Sequence, residues 1–317
     1  MKTIKKVAIL ILLAVMGLFV VPHGALASDA GNSLTFGPTS QRVSLRPGEK
    51  YRSSVIVSNP ANSTKDTKFI LYVRPYSVIN EDYDPAFDQM GTYTQIVDWI
   101  TLDKTEGIVA PNDNMEIGFT IQVPEDAPAG GQYAAIVAQD VTDLSDNNNG
   151  VQIGSISAVG SIVVADVAGQ TREYGEIVEN SLPGFSFNAP YTASAGVKNS
   201  GNVHTDAKSV LQIWPLFSDE EVYTNEESED NGKLVLPDTS RYFFNTWNDA
   251  PVFGIFRAKQ TVTIFDETSV NEKIIVLCPM WLLFIIIFFV ALILIWCVAM
   301  IVKSVRKHKA KKIKLDR

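Results

Sequence analysis

The chain has 317 residues and a formal net charge of −8 at pH 7, from 27 Lys or Arg against 35 Asp or Glu. That average hides a division: residues 28–273 hold 16 Lys or Arg and 34 Asp or Glu, a net of −18, while both ends are basic. A surface so acidic has no electrostatic grip on nucleic acid or anionic lipid, so nucleic-acid partners are excluded.

Residues 1–27 read as an export signal. Lys2, Lys5 and Lys6 give a positive start, residues 7–21 are apolar, and Ala25-Leu26-Ala27 has the small-residue pattern of a cleavage site. The mature chain is expected to begin at Ser28, with an uncleaved anchor as the alternative.

From there to Lys273 the pattern is β. Tyr51, Ser53, Val55 and Val57 alternate with their neighbours, as do Phe69, Leu71 and Val73, and Met115, Ile117, Phe119, Ile121 and Val123. Tyr133, Ala135, Val137 and Gln139 follow a Gly-rich turn, and residues 159–167 look like a strand buried on both faces. Pro and Gly clusters interrupt at the spacing of a sandwich.

A long segment, residues 76–98, separates two of these strands. It carries Tyr76, Tyr83, Phe87 and Tyr93, which make either a partner-contact surface or a hairpin covering the sandwich edge. It also carries Glu81, Asp82, Asp84 and Asp88, of which Asp82, Asp84 and Asp88 are candidate calcium ligands by spacing. A second acidic stretch, residues 143–150, does not fit an EF-hand loop, because Ile156 stands where the last ligand should be Glu.

Two motifs recur in order. Val57-Ser58-Asn59-Pro60-Ala61-Asn62 returns as Val197-Lys198-Asn199-Ser200-Gly201-Asn202. Ala127-Pro128-Ala129-Gly130-Gly131-Gln132-Tyr133 returns as Ala250-Pro251-Val252-Phe253-Gly254-Ile255-Phe256. Pro111 and Pro237 open a strand between them. Asn suits a strand end entering a turn, and Pro with Gly suits a crossing between sheets that drops the aromatic into the core. Tyr133 could hydrogen-bond to upstream backbone as in Ig-like corners; Phe256 cannot. A duplicated unit follows: a first Ig-like β-sandwich at residues 28–168, its strands beginning near Leu34, and a second at 173–267, joined by Gly169-Gln170-Thr171-Arg172.

Residues 266–273 read as a short polar spacer, keeping the second sandwich close to a bilayer. Residues 274–302 are an unbroken apolar run of 29, long enough for a membrane helix, and residues 303–317 hold eight Lys or Arg in fifteen positions. By the positive-inside rule the tail is cytoplasmic and everything before the run is outside. Both cysteines, Cys278 and Cys297, fall inside the run. The outer domains are therefore held by core burial without disulfides, which leans toward a bacterial envelope.

Chemistry is sparse. His204 is the one histidine of residues 28–273 and reads as a solvated loop residue. With no Cys beside it, neither a His-containing zinc cluster nor a Cys–His nucleophile can be built, and no G-x-S-x-G elbow is present. Paired carboxylates remain conceivable in so acidic a chain. No enzyme activity and no cofactor are expected.

Signal segment, two β domains, one C-terminal apolar helix and a basic tail together resemble the WxL-interacting proteins of Gram-positive surfaces. Pro47-Gly48-Glu49, the strand ending in Val57-Ser58-Asn59, the lone Trp99, and Val109-Ala110-Pro111 leading to Phe119-Thr120-Ile121-Gln122-Val123-Pro124 look like the N-terminal domain of that family. The Gly130-Gly131-Gln132-Tyr133 corner departs from it, and the second domain resembles it in position more than in motif. The resemblance implies attachment at the cell wall and binding of surface proteins or peptidoglycan.

The expected protein is thus all-β outside with one membrane span: a surface binding or scaffold protein whose partners are cell-wall polymer or surface proteins. The alternative is an envelope assembly or chaperone-like module that pairs its strand edges with partner strands. A wall-modifying enzyme is the remote third class.

Overall fold

The computed structural model describes residues 34–80, 82–142, 158–225 and 232–315. The export signal, Glu81, the acidic stretch at 143–150 and residues 226–231 lie outside the described residues. The fold is two tandem Ig-like β-sandwiches followed by one long apolar helix.

The first sandwich contains β1 (Thr35–Gly37), β2 (Ser40–Leu45), β3 (Lys50–Asn59), β4 (Thr67–Pro75), β5 (Ser77–Ile79), β6 (Asp84–Ala86), β7 (Ile100–Leu102), β8 (Glu106–Val109), β9 (Asp113–Gln122), β10 (Gly130–Asp140) and β11 (Ala158–Val167), with a 3-10 helix at Gln95–Trp99. The second contains β12 (Gly175–Ser181), β13 (Phe185–Ser186), β14 (Tyr191–Asn199), β15 (Thr205–Pro215), β16 (Tyr223–Thr224), β17 (Gly232–Val235), β18 (Ser240–Trp247), β19 (Gly254–Ile264) and β20 (Glu267–Leu277). Helix α1 runs over Met280–Leu315.

The two units share one topology. Sheets β1-β3-β9-β7 and β2-β11-β10-β4-β8 make the first; β12-β14-β18 and β13-β20-β19-β15, with β16 and β17 on β15, make the second. Even the parallel pair is repeated: β2 beside β11 and β13 beside β20. The first core gathers Val55, Val57, Phe69, Trp99, Phe119 and Ile136 between its sheets. The second gathers Tyr191, Leu211, Trp247 and Phe256 at one end, and Val197, Phe243 and Val262 at the other.

The repeated asparagine explains why its motif recurs. Asn59 is buried and donates its amide to the carbonyls of Lys65 and Val109, at 2.9 and 3.0 Å. Asn199, also buried, donates to Val203 and Val235, at 2.8 and 3.1 Å. In each unit one side chain thereby ties a strand end to the following turn and to the end of a strand in the other sheet, satisfying carbonyls that would otherwise be buried unpaired. Pro111 and Pro237 then open a turn completed by Asn112 (φ 60) and Asp238 (φ 57), as in a type II turn.

The second motif holds in sequence but not in facing. Tyr133 lies outside the first core, in a cluster with Tyr76, Ala135, Val164 and Leu236 of the second unit, whereas Phe256 lies inside the second core. The aligned aromatics fall on opposite sheet faces because the motif copies are one residue out of step with their strands: Tyr133 is the fourth residue of β10 and Phe256 the third of β19, and side chains alternate along a strand. Nor does Tyr133 bond to upstream backbone: its hydroxyl sits 3.3 Å from His204 Nδ1. Tyr191 makes that kind of bond instead, donating to the carbonyl of Pro183 at 3.1 Å.

The end of the second sandwich also differs from expectation. Residues 267–273 are not a spacer; they belong to β20, which pairs with β19 along its whole length. β20 runs on to Leu277, so 274–277, expected in the membrane helix, are strand, with Ile275 and Leu277 in the core. Met280–Lys303 is long and apolar enough to cross a membrane by length and composition.

Candidate functional site: the joint and an open sheet edge

The joint between the sandwiches is built from sequence features that first looked separate. Gly131 N–H donates to the Asn202 carbonyl at 2.7 Å, and the Asn202 side chain donates to the Ala129 carbonyl at 3.1 Å. The second copy of the asparagine motif thus meets the first copy of the Ala-Pro-Gly corner. Gly130 has φ +114, and a Cβ there would lie 2.3 Å from the Asn202 carbonyl oxygen, so only glycine lets the two backbones approach.

Segment 76–98 supplies the rest. β5 and β6 form a hairpin, which packs on the outer face of the β10–β11 sheet. Tyr83 accepts from Leu236 N–H at 2.5 Å and is 3.1 Å from the Thr239 hydroxyl, with the Arg241 guanidinium 4.2 Å from its ring centre. Tyr93 donates to Asp238 at 2.8 Å. Tyr76 is buried beside them. Across the joint, Arg42 makes two bonds to Asp206, at 2.5 and 2.8 Å. Tyr76, Tyr83 and Tyr93 therefore do not offer a free contact surface: the second sandwich already occupies it. Phe87, tilted against Tyr76 with ring centres 6.0 Å apart, is the one that stays at the rim, 40% exposed. Sequence reasoning saw the aromatics but had no signal for what covered them.

His204 is likewise not a solvated loop residue. Its side chain is 8% exposed, 3.2 Å from Asp166 Oδ1 and edge-on to the Tyr133 ring. Burial raises the pKa of Tyr76 and Tyr83. Burial, followed by the hydrogen bond to Asp238, pushes Tyr93 up to about 12. The Arg42 hydrogen bond lowers the pKa of Asp206. The tyrosine shifts follow from burial in the seam, and the Asp206 shift from its pairing with the exposed Arg42.

The calcium candidates do not converge. Asn80 donates to Asp84 at 2.9 Å and accepts from Asp82 N–H at 3.1 Å, so these acids shape a turn. Among the described residues no three of His, Cys, Asp or Glu, Asp88 included, are placed to hold a metal.

A sheet edge remains open. β18 pairs with β14 through eight residue pairs on one side, and no described strand pairs with its other side. In the first unit the corresponding strand, β9, has that side partly covered by β7. Among the described residues, side chains approach β18 on that side: Tyr223 donates to the Thr246 carbonyl at 3.0 Å, and Asn225 to Asn245 at 2.8 Å. The strand reads Ser-Arg-Tyr-Phe-Phe-Asn-Thr-Trp, with no Pro, Lys or acid, and Phe244 is 65% exposed on its outer face. The opposite edge of the same sheet, β12, is bulged between Ile177 and Glu179 and carries Glu176 and Glu179, devices that discourage strand addition. β18 has no bulge, and its one charge, Arg241, is engaged by the Leu234 carbonyl and the Tyr83 ring.

No family model matches the chain, and no curated protein matches it. Among solved structures, the class 5 fimbriae chaperone CfaA is 11% identical, with a TM-score of 0.39, over 76% of this chain and 99% of its own. The YadV chaperone is 10% identical, with a TM-score of 0.38, over 77% of this chain and 100% of its own. A chaperone–tip adhesion subunit pre-assembly complex, CsuC–CsuE, from archaic chaperone-usher Csu pili of Acinetobacter baumannii matches at 8% identity and a TM-score of 0.37, over 76% of this chain and 98% of the other. Similarity of this degree carries no argument about what this chain binds.

Proposed function

We propose that the chain is a single-span, membrane-anchored surface protein of the WxL-interacting kind, its sandwiches outside and its basic tail in the cytoplasm, that binds another surface protein by adding a partner strand to β18. The open side of β18 supports the strand addition, and the apolar helix with its basic tail supports the anchoring. Eight residues at about 3.4 Å each give an edge of roughly 27 Å. Apart from the Thr246 carbonyl, which Tyr223 already holds, its outward N–H and C=O groups have no strand partner among the described residues and supply backbone hydrogen bonds to an extended segment, and Tyr242, Phe244 and Thr246 on the outer face supply side-chain selection. The packed joint favours a stiff arm that holds this edge at a set height above the membrane.

The reading unites the scaffold and strand-pairing classes, with a protein rather than a wall polymer as partner. A photo-crosslinking amino acid at Phe244 of the full chain in intact cells should capture a surface protein, and one at Ile108, 54% exposed on the first sandwich, should not. Equal capture from both positions would sink the strand-addition reading.

A further inference from the structure

Large apolar side chains collect at one end of the second sandwich. Phe217, in the loop after β15, is 97% exposed. Val252 and Phe253, in the loop before β19, are 62% and 67% exposed; Phe185 and Phe187, ring centres 4.7 Å apart, are 40% and 43% exposed; Ile255 is 48% exposed. The strand registers place them at one end. Leu216 N–H donates to the Ile255 carbonyl at 3.1 Å, Gly254 pairs with Leu277, Phe185 pairs with Val276, and Cys278 N–H donates to the Ser186 carbonyl at 3.0 Å.

That end is also where the chain leaves the sandwich. Only Cys278 and Pro279 separate β20 from α1. Three Cα steps of 3.8 Å span at most about 11 Å, so the loops cannot stand far from the point where α1 begins. Trp281, 60% exposed on the first turn of α1, is of the type that settles at a membrane interface. A nearly bare phenylalanine costs a protein surrounded by water and favours aggregation, whereas at the acyl boundary it is stabilising.

We infer that Phe217, Val252, Phe253, Phe185 and Phe187 form an apolar collar that dips into the outer leaflet entered by α1, so that the second sandwich stands on the bilayer with the first sandwich held away from it. This rests on the single-span reading above. Asp219, Glu220 and Glu221 after Phe217, and Asp249 before Val252, flank the tips and stay at headgroup level, Asp219 paired with Arg257 at 2.8 Å. The attraction is therefore apolar and independent of anionic lipid.

The test uses the full chain, with Cys278→Ala and Cys297→Ala, in phosphatidylcholine nanodiscs. Nitroxide labels are placed singly through Phe217→Cys, Phe253→Cys, Leu292→Cys in the span and Ile108→Cys on the distal sandwich, and melting curves establish that each variant is folded. Oxygen accessibility relative to a water-soluble nickel chelate should be several times higher at 217 and 253 than at 108, and highest at 292. Addition of phosphatidylglycerol should leave the order and size of these ratios unchanged. If 217 and 253 read like 108 while 292 reads as lipid, the collar is wrong and the span stands. If 292 reads as water, the span fails and the collar with it. Lipid contact at 217 and 253 only when anionic lipid is present would overturn the apolar mechanism.

Discussion

Tyr83→Phe removes one hydroxyl from the joint and leaves the ring. Leu236 N–H, at 2.5 Å, then loses its partner, while the Thr239 hydroxyl keeps its bond to the Leu236 carbonyl at 2.7 Å and the ring contact with Arg241 at 4.2 Å is retained. A donor left unsatisfied in a desolvated seam costs about 1–3 kcal/mol. For a folded region of this size each kcal/mol moves the melting temperature by about 2–4 °C, so a fall of roughly 2–12 °C is expected. Thermal unfolding of the full chain in detergent, followed by near-ultraviolet circular dichroism, measures it. Phe87→Ala, at the rim, should stay within about 0.5 kcal/mol of the parent, as exposed positions do. An unchanged transition in Tyr83→Phe, or a larger loss in Phe87→Ala, would refute the assignment of this segment to the joint.

Gly130→Ala should destabilise by about 1–3 kcal/mol and separate the unfolding of the two sandwiches, because a Cβ at φ +114 meets the Asn202 carbonyl; differential scanning calorimetry would show one transition becoming two. Alkali should loosen the joint. Tyr93 ionises near 10.0 when unfolded and near about 12 when folded, so its contribution is complete below pH 10 and is lost as pH rises toward 12; Tyr93→Phe should flatten that slope in melts taken across the range. Asp206 behaves oppositely, its carboxylate favoured in the fold, so the exposed Arg42 pair should add under about 1 kcal/mol at neutral pH and fade as pH falls through the carboxylate range, a dependence that Arg42→Ala should abolish. Phe244→Lys should leave melting unchanged but weaken capture of the surface partner about tenfold, near 1.4 kcal/mol, in a pull-down titration.

Much of the architecture was legible because alternation is a direct consequence of strand geometry. The β3, β4 and β9 strands showed it plainly, and the recurring asparagine motif announced the duplication. The strand-to-helix border was misplaced because Ile274, Ile275, Val276 and Leu277 are apolar in either setting, and composition cannot separate a core strand from a membrane helix. Pro279 was the available signal, since proline stops a strand and suits the start of a helix. The face of Tyr133 escaped because a one-residue offset between motif copies reverses the facing of every side chain. The joint and the β18 edge escaped for a different reason: each depends on what stands beside a segment, or fails to, and neighbours distant in sequence leave no local trace.

Backbone amide hydrogen exchange on the full chain in nanodiscs, with and without the partner captured at Phe244, tests the proposed strand addition most directly. The amides of β18 that point away from β14 should exchange fast alone and slow markedly in the complex, while those of β12 stay unchanged. Protection that appears on the first sandwich, with β18 as fast as before, would contradict it.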